Sequence, residues 1–418
     1  MAFFAQGVMV TENSIRSCFS EIKTATASHI NLWGIDLYNP ILLVDPETRV
    51  LYANVPDSAA VLKQKGAIFT GHLPENINIA NTSLHWNGTK WAMVMLPLPG
   101  DPELCIGLLA HELFHVSQPR LGFSMGSPGK NDHLDAKEGR IWLRLELEAL
   151  TEALLAQTMD DQAKYIAHAL TFRKFRYSIY ENSAENENSL ELNEGLAEYT
   201  GLMISSSSEE ESIDHLIKML ENFYKTASFI QSFPYVTIPV YGFLLSDMDP
   251  GWNKKINCTT NLTDFFIQSF HVDIPKDLKK SVDSISLFYG EASIRAGECL
   301  REEKRESKTT LLKAMFIEQP HLEIRVFNMN FAFDPQTIIP LEDHGSVYFT
   351  VRVSDTWGIL SAVKGALISP QFDRVTVGLP TATEGRNISG DGWTLQLNDT
   401  WRMEKDPGTG NFTLVQGP

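Results

Sequence analysis

Cysteine is scarce and unpaired in this chain. Cys18, Cys105, Cys258 and Cys299 are spread along 418 residues with no CxxC pair, so neither a disulfide framework nor a cysteine-built metal knuckle is expected, and buried thiols are the simpler reading. Basic runs are also missing: 35 Lys and Arg stand against 52 Asp and Glu, a formal charge of −17, which excludes the cationic footprint needed for nucleic acid or an anionic membrane surface. No uninterrupted apolar stretch reaches the roughly 18 residues of a membrane-spanning helix. The first residues, MAFFAQGVMVTENS, are apolar at the start but lack the basic segment of a secretion signal. A cytoplasmic location is the expectation, with a periplasmic or secreted one as the alternative. The signatures Walker A and GxGxxG are absent as well, removing the commonest motif routes to a P-loop enzyme or a dinucleotide-binding enzyme.

Hydrophobic residues make up 43% of the chain and aromatics 10%, enough for a full core and for two or three domains at this length. Residues 13–100 read as a region dominated by short strands. Ile41 to Val44 and Val50 to Asn54 flank the turn Asp45-Pro46-Glu47-Thr48. Ser83 to Trp86 and Thr89 to Leu96 flank Asn87-Gly88, a dipeptide suited to a type I′ hairpin because both central residues take positive φ. The pattern turns helical at Asp101-Pro102, an N-cap followed by a proline where its missing N–H costs nothing, and Pro119 closes that helix near Gln118.

A polar loop over Ser124 to Asp135 leads into a helical stretch from Glu138 to Tyr180, read as an α-hairpin broken near Met159-Asp160-Asp161. Glu181 to Ser189 reads as a loop, Leu190 to Met203 and Glu210 to Phe229 as helices, and Ser205 to Glu211 as a solvated loop. Shorter helices follow, with Arg301 to Lys308 as a junction. Beyond it, Leu322 to Phe327, Val347 to Val353, Arg374 to Val377 and Trp393 to Leu397 are strand-like. The fold class expected is therefore α+β, organised as a sheet-rich part (1–100), a helical part (101–304) with the hairpin as an insertion (138–180), and a small C-terminal β-rich domain (305–418).

The chemistry-bearing feature is His111-Glu112-Leu113-Phe114-His115, an HExxH on a predicted helix. Spacing of i and i+4 puts both imidazoles on one helix face, one turn apart, where they can converge on a zinc ion, and the glutamate between them can take a proton from water at the metal. A catalytic zinc needs a third protein ligand and an open position. Two carboxylates one turn apart, Glu194 and Glu198, lie in the predicted helix Leu192-Asn193-Glu194-Gly195-Leu196-Ala197-Glu198-Tyr199, and spacing alone does not choose between them.

Here the sequence resembles the gluzincin superfamily of zinc peptidases, which includes thermolysin and aminopeptidase N. In that superfamily HExxH is completed by the glutamate of an Asn-Glu pair on a following helix. The resemblance, carried by residues 79–246, implies a zincin-like catalytic domain holding one Zn²⁺ per chain, with His111, His115 and Glu194 as ligands and Glu112 as general base. It also implies supporting roles for Asn193 and Glu198, the latter hydrogen-bonding a ligand histidine. Within Tyr235-Val236-Thr237-Ile238-Pro239-Val240-Tyr241 it points to Tyr235 as donor to the oxyanion, with Ile238 standing where glycine is usual. Pro239 is expected to reverse the chain or start a helix between Tyr235 and Tyr241. Ser83 and Leu84 correspond to the edge strand on which an extended peptide lies, making a peptide or protein the implied substrate.

There are departures from the pattern. Glu194 follows His115 by 79 positions, with the α-hairpin filling a gap that one helix usually spans, and an insertion there could wall the cleft. The run HxxGxxH of metzincins is missing after His115, and so is the Gly-x-Met-Glu-Asn anchor for a free amino terminus. Arg144, Glu148 and Glu152 follow a four-residue helical spacing and read as a solvated face. His133 and His168 have no partner at ligand spacing. The rival reading is a non-catalytic zincin-fold protein that binds partners through the insertion and the β domain; Glu112 argues against it, because a structural metal has no use for a base.

Overall fold

The computed structural model describes residues 11–74, 77–123, 129–333 and 338–417. The amino-terminal start and Ser124 to Pro128 of the polar loop lie outside them. The chain is mixed α+β and divides into two compact units, Met1–Ala296 and Gly297–Pro418.

The first unit opens with a helix, Glu12–Ser28, where short strands were expected to dominate. Its Ile15, Cys18, Phe19 and Ile22 are buried, the i, i+3, i+4, i+7 pattern of one helix face. A six-stranded sheet follows, built from β1 (Ile41–Val44), β2 (Val50–Ala53), β3 (Lys63–Lys65), β4 (Ile68–His72), β5 (Thr82–Trp86) and β6 (Thr89–Met95) in the order β3-β4-β2-β1-β6-β5. The pair β1 and β6 is parallel and every other pair antiparallel, so the two hairpins read from sequence join through one parallel contact. Asn87 and Gly88 both have positive φ, 49° and 72°, as a type I′ turn demands.

Burial on both faces of the sheet explains the apolar run of β1. Ile41, Leu43, Ala92 and Val94 face the helical core, whereas Leu42, Val44, Leu51, Trp91 and Met93 close a second apolar cluster. The strand β5 ends the sheet and pairs with β6 alone.

Against β5 and β6 packs the helix Pro102–Ser117, which carries HExxH and is called here the motif helix. Asp101 caps it, its Oδ1 accepting from the backbone N–H of Glu103 and Leu104 (2.9 and 3.2 Å). At the other end Lys90 of β6 donates to the carbonyls of His115 and Val116 (3.2 and 3.1 Å), satisfying acceptors that a helix terminus leaves open.

The hairpin consists of Lys137–Leu155 and Met159–Ile179, with Thr158 capping the second helix through its hydroxyl on the N–H of Asp161 (3.1 Å). It is built into the core of the first unit. Ile141, Leu143, Leu145, Leu147, Ala149 and Leu150 are fully buried in the main core. The spacing of Arg144, Glu148 and Glu152 misled in part: Arg144 lies 5.2 Å from the ring of Tyr224, Glu148 is partly buried, with burial pushing its carboxyl pKa up, and only Glu152 is exposed.

Several boundaries differ from the sequence reading. The expected loop at 181–189 is helical, Ser183–Leu190. It continues through a π turn, Glu191–Gly195, into the helix Leu196–Ser205, called here the ligand helix. Acidic, Asn-rich composition suggested solvent, yet Glu187 and Glu191 are fully buried on arginine partners. Ser208, assigned to a solvated run, caps the helix Glu209–Phe223. Pro239 breaks nothing: it lies inside one continuous helix, Pro234–Met248, the tyrosine helix, which carries both Tyr235 and Tyr241. The expected junction 301–308 sits within a 23-residue helix, Glu291–Lys313.

The second unit is β-rich. Among the described residues its strands form a seven-stranded sheet, with Trp401–Lys405 and Ile338–Pro340 at its edges, and a six-stranded sheet, with Pro380–Glu384 and Asn330–Phe333 at its edges. Val347 to Val353, read as one strand, is two: Ser346–Tyr348 in the first sheet and Val351–Asp355 in the second. The break falls beside Thr350, at φ 57°, a conformation β-branched residues rarely adopt. Among the described residues no helix is long and apolar enough to cross a membrane. All four cysteines are free thiols.

Candidate metal centre

Two helices cross to make the site, and glycine sets how closely. A Cβ added to Gly201 of the ligand helix would stand 2.7 Å from the carbonyl oxygen of Gly107 on the motif helix, a contact no side chain tolerates, so position 201 must be glycine for the helices to meet this closely. Trp33 ties the crossing from a third side, donating its indole N–H to Thr200 (2.9 Å).

At this crossing His111, His115 and Glu194 converge. The two Nε2 atoms are 3.1 Å apart, and Glu194 Oε2 lies 3.6 Å from that of His111 and 3.5 Å from that of His115. Zinc takes nitrogen and oxygen ligands at about 2.0–2.2 Å in tetrahedral sites, which sets its donors roughly 3.3 Å apart. The donor spacing and the His/His/Glu set therefore fit such an ion. Among the described residues this is the one group of three or more His, Cys, Asp and Glu side chains with the mutual spacing to hold a metal.

Tautomers follow from the partners. Glu198 Oε2 sits 2.8 Å from His111 Nδ1, and an ionised carboxylate only accepts, so Nδ1 carries the proton and Nε2 the lone pair. The amide of Gln118 does the same for His115. Its Nε2 donates to the carbonyl of Asn193 (2.8 Å), which turns its Oε1 toward His115 Nδ1 (2.9 Å). Both Nε2 lone pairs thus point at one place beside a carboxylate oxygen, an arrangement that calls for positive charge between them.

The electrostatics agree. Burial opposes charge on His111, but Glu194 and Glu198 outweigh it and raise its pKa to about 10, so without a metal a proton on Nε2 supplies the positive charge, and a bound metal would take that proton's place. Burial also opposes charge on Glu194, yet His111, His115 and the Tyr235 hydroxyl hold its carboxyl well below the usual range. Asn193 donates its side-chain N–H to Glu194 Oε1 (2.8 Å), leaving Oε2 for the histidines.

Glu112 lies between the two histidines in sequence and is 4% exposed. Its Oε2 is buried without a hydrogen-bond partner, an orphan acceptor of the kind that calls for a functional explanation. Burial, reinforced by Glu194 and Glu198 and opposed by the two histidines, raises its pKa. Tyr235 stacks on the His111 ring (centroids 5.6 Å apart, planes 7° from parallel) and donates to Glu194 Oε2 at 2.5 Å. Burial and the Glu194 charge push the phenol pKa up, so it stays a donor. Tyr241, six positions on, points into the core and donates to Glu146 (3.0 Å). Ile238, in the place of a glycine, packs on Gly195 of the π turn: a Cβ there would lie 2.5 Å from Ile238 Cγ1.

Other expected residues fall elsewhere. Ser83 and Leu84 are half-buried on β5, paired to Ala92 and Trp91 of β6, with the opposite edge of the strand unpaired among the described residues. His133 bonds Glu187 (2.7 Å) and His168 bonds Tyr289 (2.7 Å), both satisfied inside the fold. A concavity of about 510 Å³, lined by Trp142, Phe175, Tyr180 and Arg295 among others, shares no residue with the metal centre.

Gln118 was not anticipated from sequence, although it stands three positions beyond His115, where a helix turn brings side chains together. Comparison with known proteins adds nothing to this geometry: no family model, curated protein or solved structure matches the chain.

Proposed function

We propose that the chain is a zinc-dependent hydrolase of peptide bonds with a zincin-like catalytic unit. The observation that carries the reading is the convergence of His111 Nε2, His115 Nε2 and Glu194 Oε2 beside the buried, orphaned carboxylate of Glu112. A purely structural site would not need a base at that position.

When bound by these three residues, zinc lowers the pKa of water to about 7 and polarises the scissile carbonyl. Glu112 takes the proton of the attacking water and delivers it to the leaving amine; burial, by raising its pKa, makes it a stronger base than an exposed glutamate. Glu198 and Gln118 hold the imidazole tautomers. Tyr235, kept protonated and within reach of the ligand carboxylate, turns its hydroxyl to the developing oxyanion. An extended substrate adds to the unpaired edge of β5 at Ser83 and Leu84 through main-chain hydrogen bonds.

The test is elemental analysis of the purified protein together with a peptide library. One zinc per chain, and cleavage abolished by chelation and restored by zinc, is the expected result. Cleavage indifferent to chelation, or a protein that takes up no zinc, would overturn the reading.

The two tyrosines separate the chemistry from the scaffold. Tyr235→Phe is expected to cost about 10²–10³ in kcat with KM and zinc content little changed, as loss of an oxyanion donor does. Tyr241→Phe should keep turnover and lower the melting temperature, since it leaves the buried Glu146 short of a donor at a cost of about 1–3 kcal/mol. Equal kcat for Tyr235→Phe and the parent protein removes Tyr235 from the mechanism.

A further inference from the structure

Behind the metal centre the hairpin, the helix Ser183–Leu190 with the π turn that follows it, and the tyrosine helix meet on a buried ionic network. Glu146 accepts from Arg173 Nε (2.6 Å) and Arg176 Nη1 (2.7 Å). Arg176 also forks onto Glu187 (2.9 and 2.6 Å). Arg173 forks onto Glu191 (3.0 and 2.8 Å). The side chains of both arginines and all three glutamates are fully buried. Such pairs in a dry interior are costly to desolvate and weak evidence of added stability, so their use must be sought in what they hold.

Glu191 opens the π turn whose fourth residue is Glu194. In an α-helix, residues three apart lie about 60° apart around the axis and share a face. An i→i+5 turn widens that angle, and π turns of this kind recur at functional sites. The widening lets Glu191 point into the core, onto Arg173, while Glu194 points at the histidines.

The same Glu191 carboxylate takes a second donor from another helix, the Thr237 hydroxyl at 2.6 Å. Thr237 stands two residues after Tyr235. Three contacts therefore join the π turn to the tyrosine helix: Thr237 on Glu191, Ile238 on Gly195, and Tyr235 on Glu194. The first is buried and charge-assisted, and it lies off the metal side.

We propose that Glu191, clamped by Arg173 and bridged by Thr237, is the positioning residue of the centre, fixing the π turn so that Glu194 Oε2 and the Tyr235 hydroxyl arrive together at the two histidines. This rests on His111, His115 and Glu194 being ligands of one metal. Thr237 acts through Glu191 and touches neither substrate nor metal.

The experiment compares Thr237→Val, which keeps the shape and deletes the hydroxyl, with Thr237→Ser, which restores it. Zinc affinity is read by competition with a chromophoric chelator, and melting temperature on the metal-free proteins. Thr237→Val should weaken zinc roughly 10-fold to 100-fold, the range for groups that orient ligands, and Thr237→Ser should return most of it. Glu191→Gln, losing the charge that Arg173 grips, should weaken zinc at least as much as Thr237→Val. Parent-like affinity in Thr237→Val overturns the proposal, as does a loss that Thr237→Ser shares in full.

Crystal structures of the metal-free parent and Thr237→Val give a second reading independent of zinc uptake and of cleavage. Displacement of Glu194 Oε2 from the histidine pair is expected; an unmoved Glu194 overturns the proposal. A parent that binds zinc yet cleaves nothing, with affinity lost in Thr237→Val, would refute the peptidase reading and support the positioning role.

Discussion

Glu112→Gln should bind zinc as the parent does and lose about 10²–10⁴ of its turnover, the range by which positioned general acid–base groups accelerate proton transfer. Three features set this expectation apart from a generic active-site loss. The carboxylate is not among the donors that converge on the metal position, so the substitution leaves the ligand count intact. It conserves volume in a site where Glu112 is 4% exposed, so packing is kept. It also removes a charge that burial already disfavours, so folding should not suffer, and the melting temperature of the metal-free protein is expected to stay level or rise. KM should move little, because the amide removes a proton acceptor and not a binding contact. Steady-state kinetics at saturating zinc decides the matter: full turnover by Glu112→Gln sinks the mechanism. A zinc-loaded parent inert toward every peptide is the outcome the non-catalytic alternative expects.

The pieces of this site were unevenly legible in the sequence. The motif helix could be read to within a residue or so because each signal was local: Asp101 before Pro102 at one end, Pro119 beyond the other, and an HExxH whose i, i+4 geometry is fixed by the helix itself. The Asn87-Gly88 hairpin was legible for the same reason. The π turn was not. It depends on Arg173 and Thr237, 18 and 46 positions from Glu191, and a buried acidic residue with distant partners has the composition of a solvated loop. The sequence therefore suggested a loop over 181–189 where a helix stands.

Pro239 misled for a related reason. Its ring removes one N–H and so disrupts one turn, but Val236, Thr237, Ile238, Val240 and Tyr241 are buried around it, and packing on that scale outweighs a cost of about 3 kcal/mol. The four-residue spacing of Arg144, Glu148 and Glu152 carried no information on burial, since solvated and buried faces share the period. Gln118 could have been found at three residues from His115, had an amide been sought where a carboxylate is the commoner partner.

Glu194→Ala should empty the site and Glu198→Ala should only loosen it, although the two carboxylates stand one turn apart on neighbouring elements. The distinction lies in which nitrogen each one faces. Glu194 Oε2 is 3.6 and 3.5 Å from the two Nε2 atoms, on the side where the lone pairs meet, whereas Glu198 Oε2 is 2.8 Å from His111 Nδ1, on the opposite side of the ring. A zinc site with apparent binding of about 10–16 kcal/mol spread over about four ligands owes each roughly 2.5–4 kcal/mol, or about 10²–10³ in affinity. Loss of Glu194 takes that share and also deprives Tyr235 of its acceptor, so peptide cleavage should vanish with the metal. Loss of Glu198 leaves three ligands and frees the His111 tautomer, which should cost about 10–100-fold in affinity, with activity recovered at high zinc. Titration of both variants against a competing chelator, with cleavage assayed at each zinc level, separates the two. Should Glu198→Ala empty the site while Glu194→Ala stays loaded, the ligand is Glu198, and Glu194 becomes the residue that only supports it.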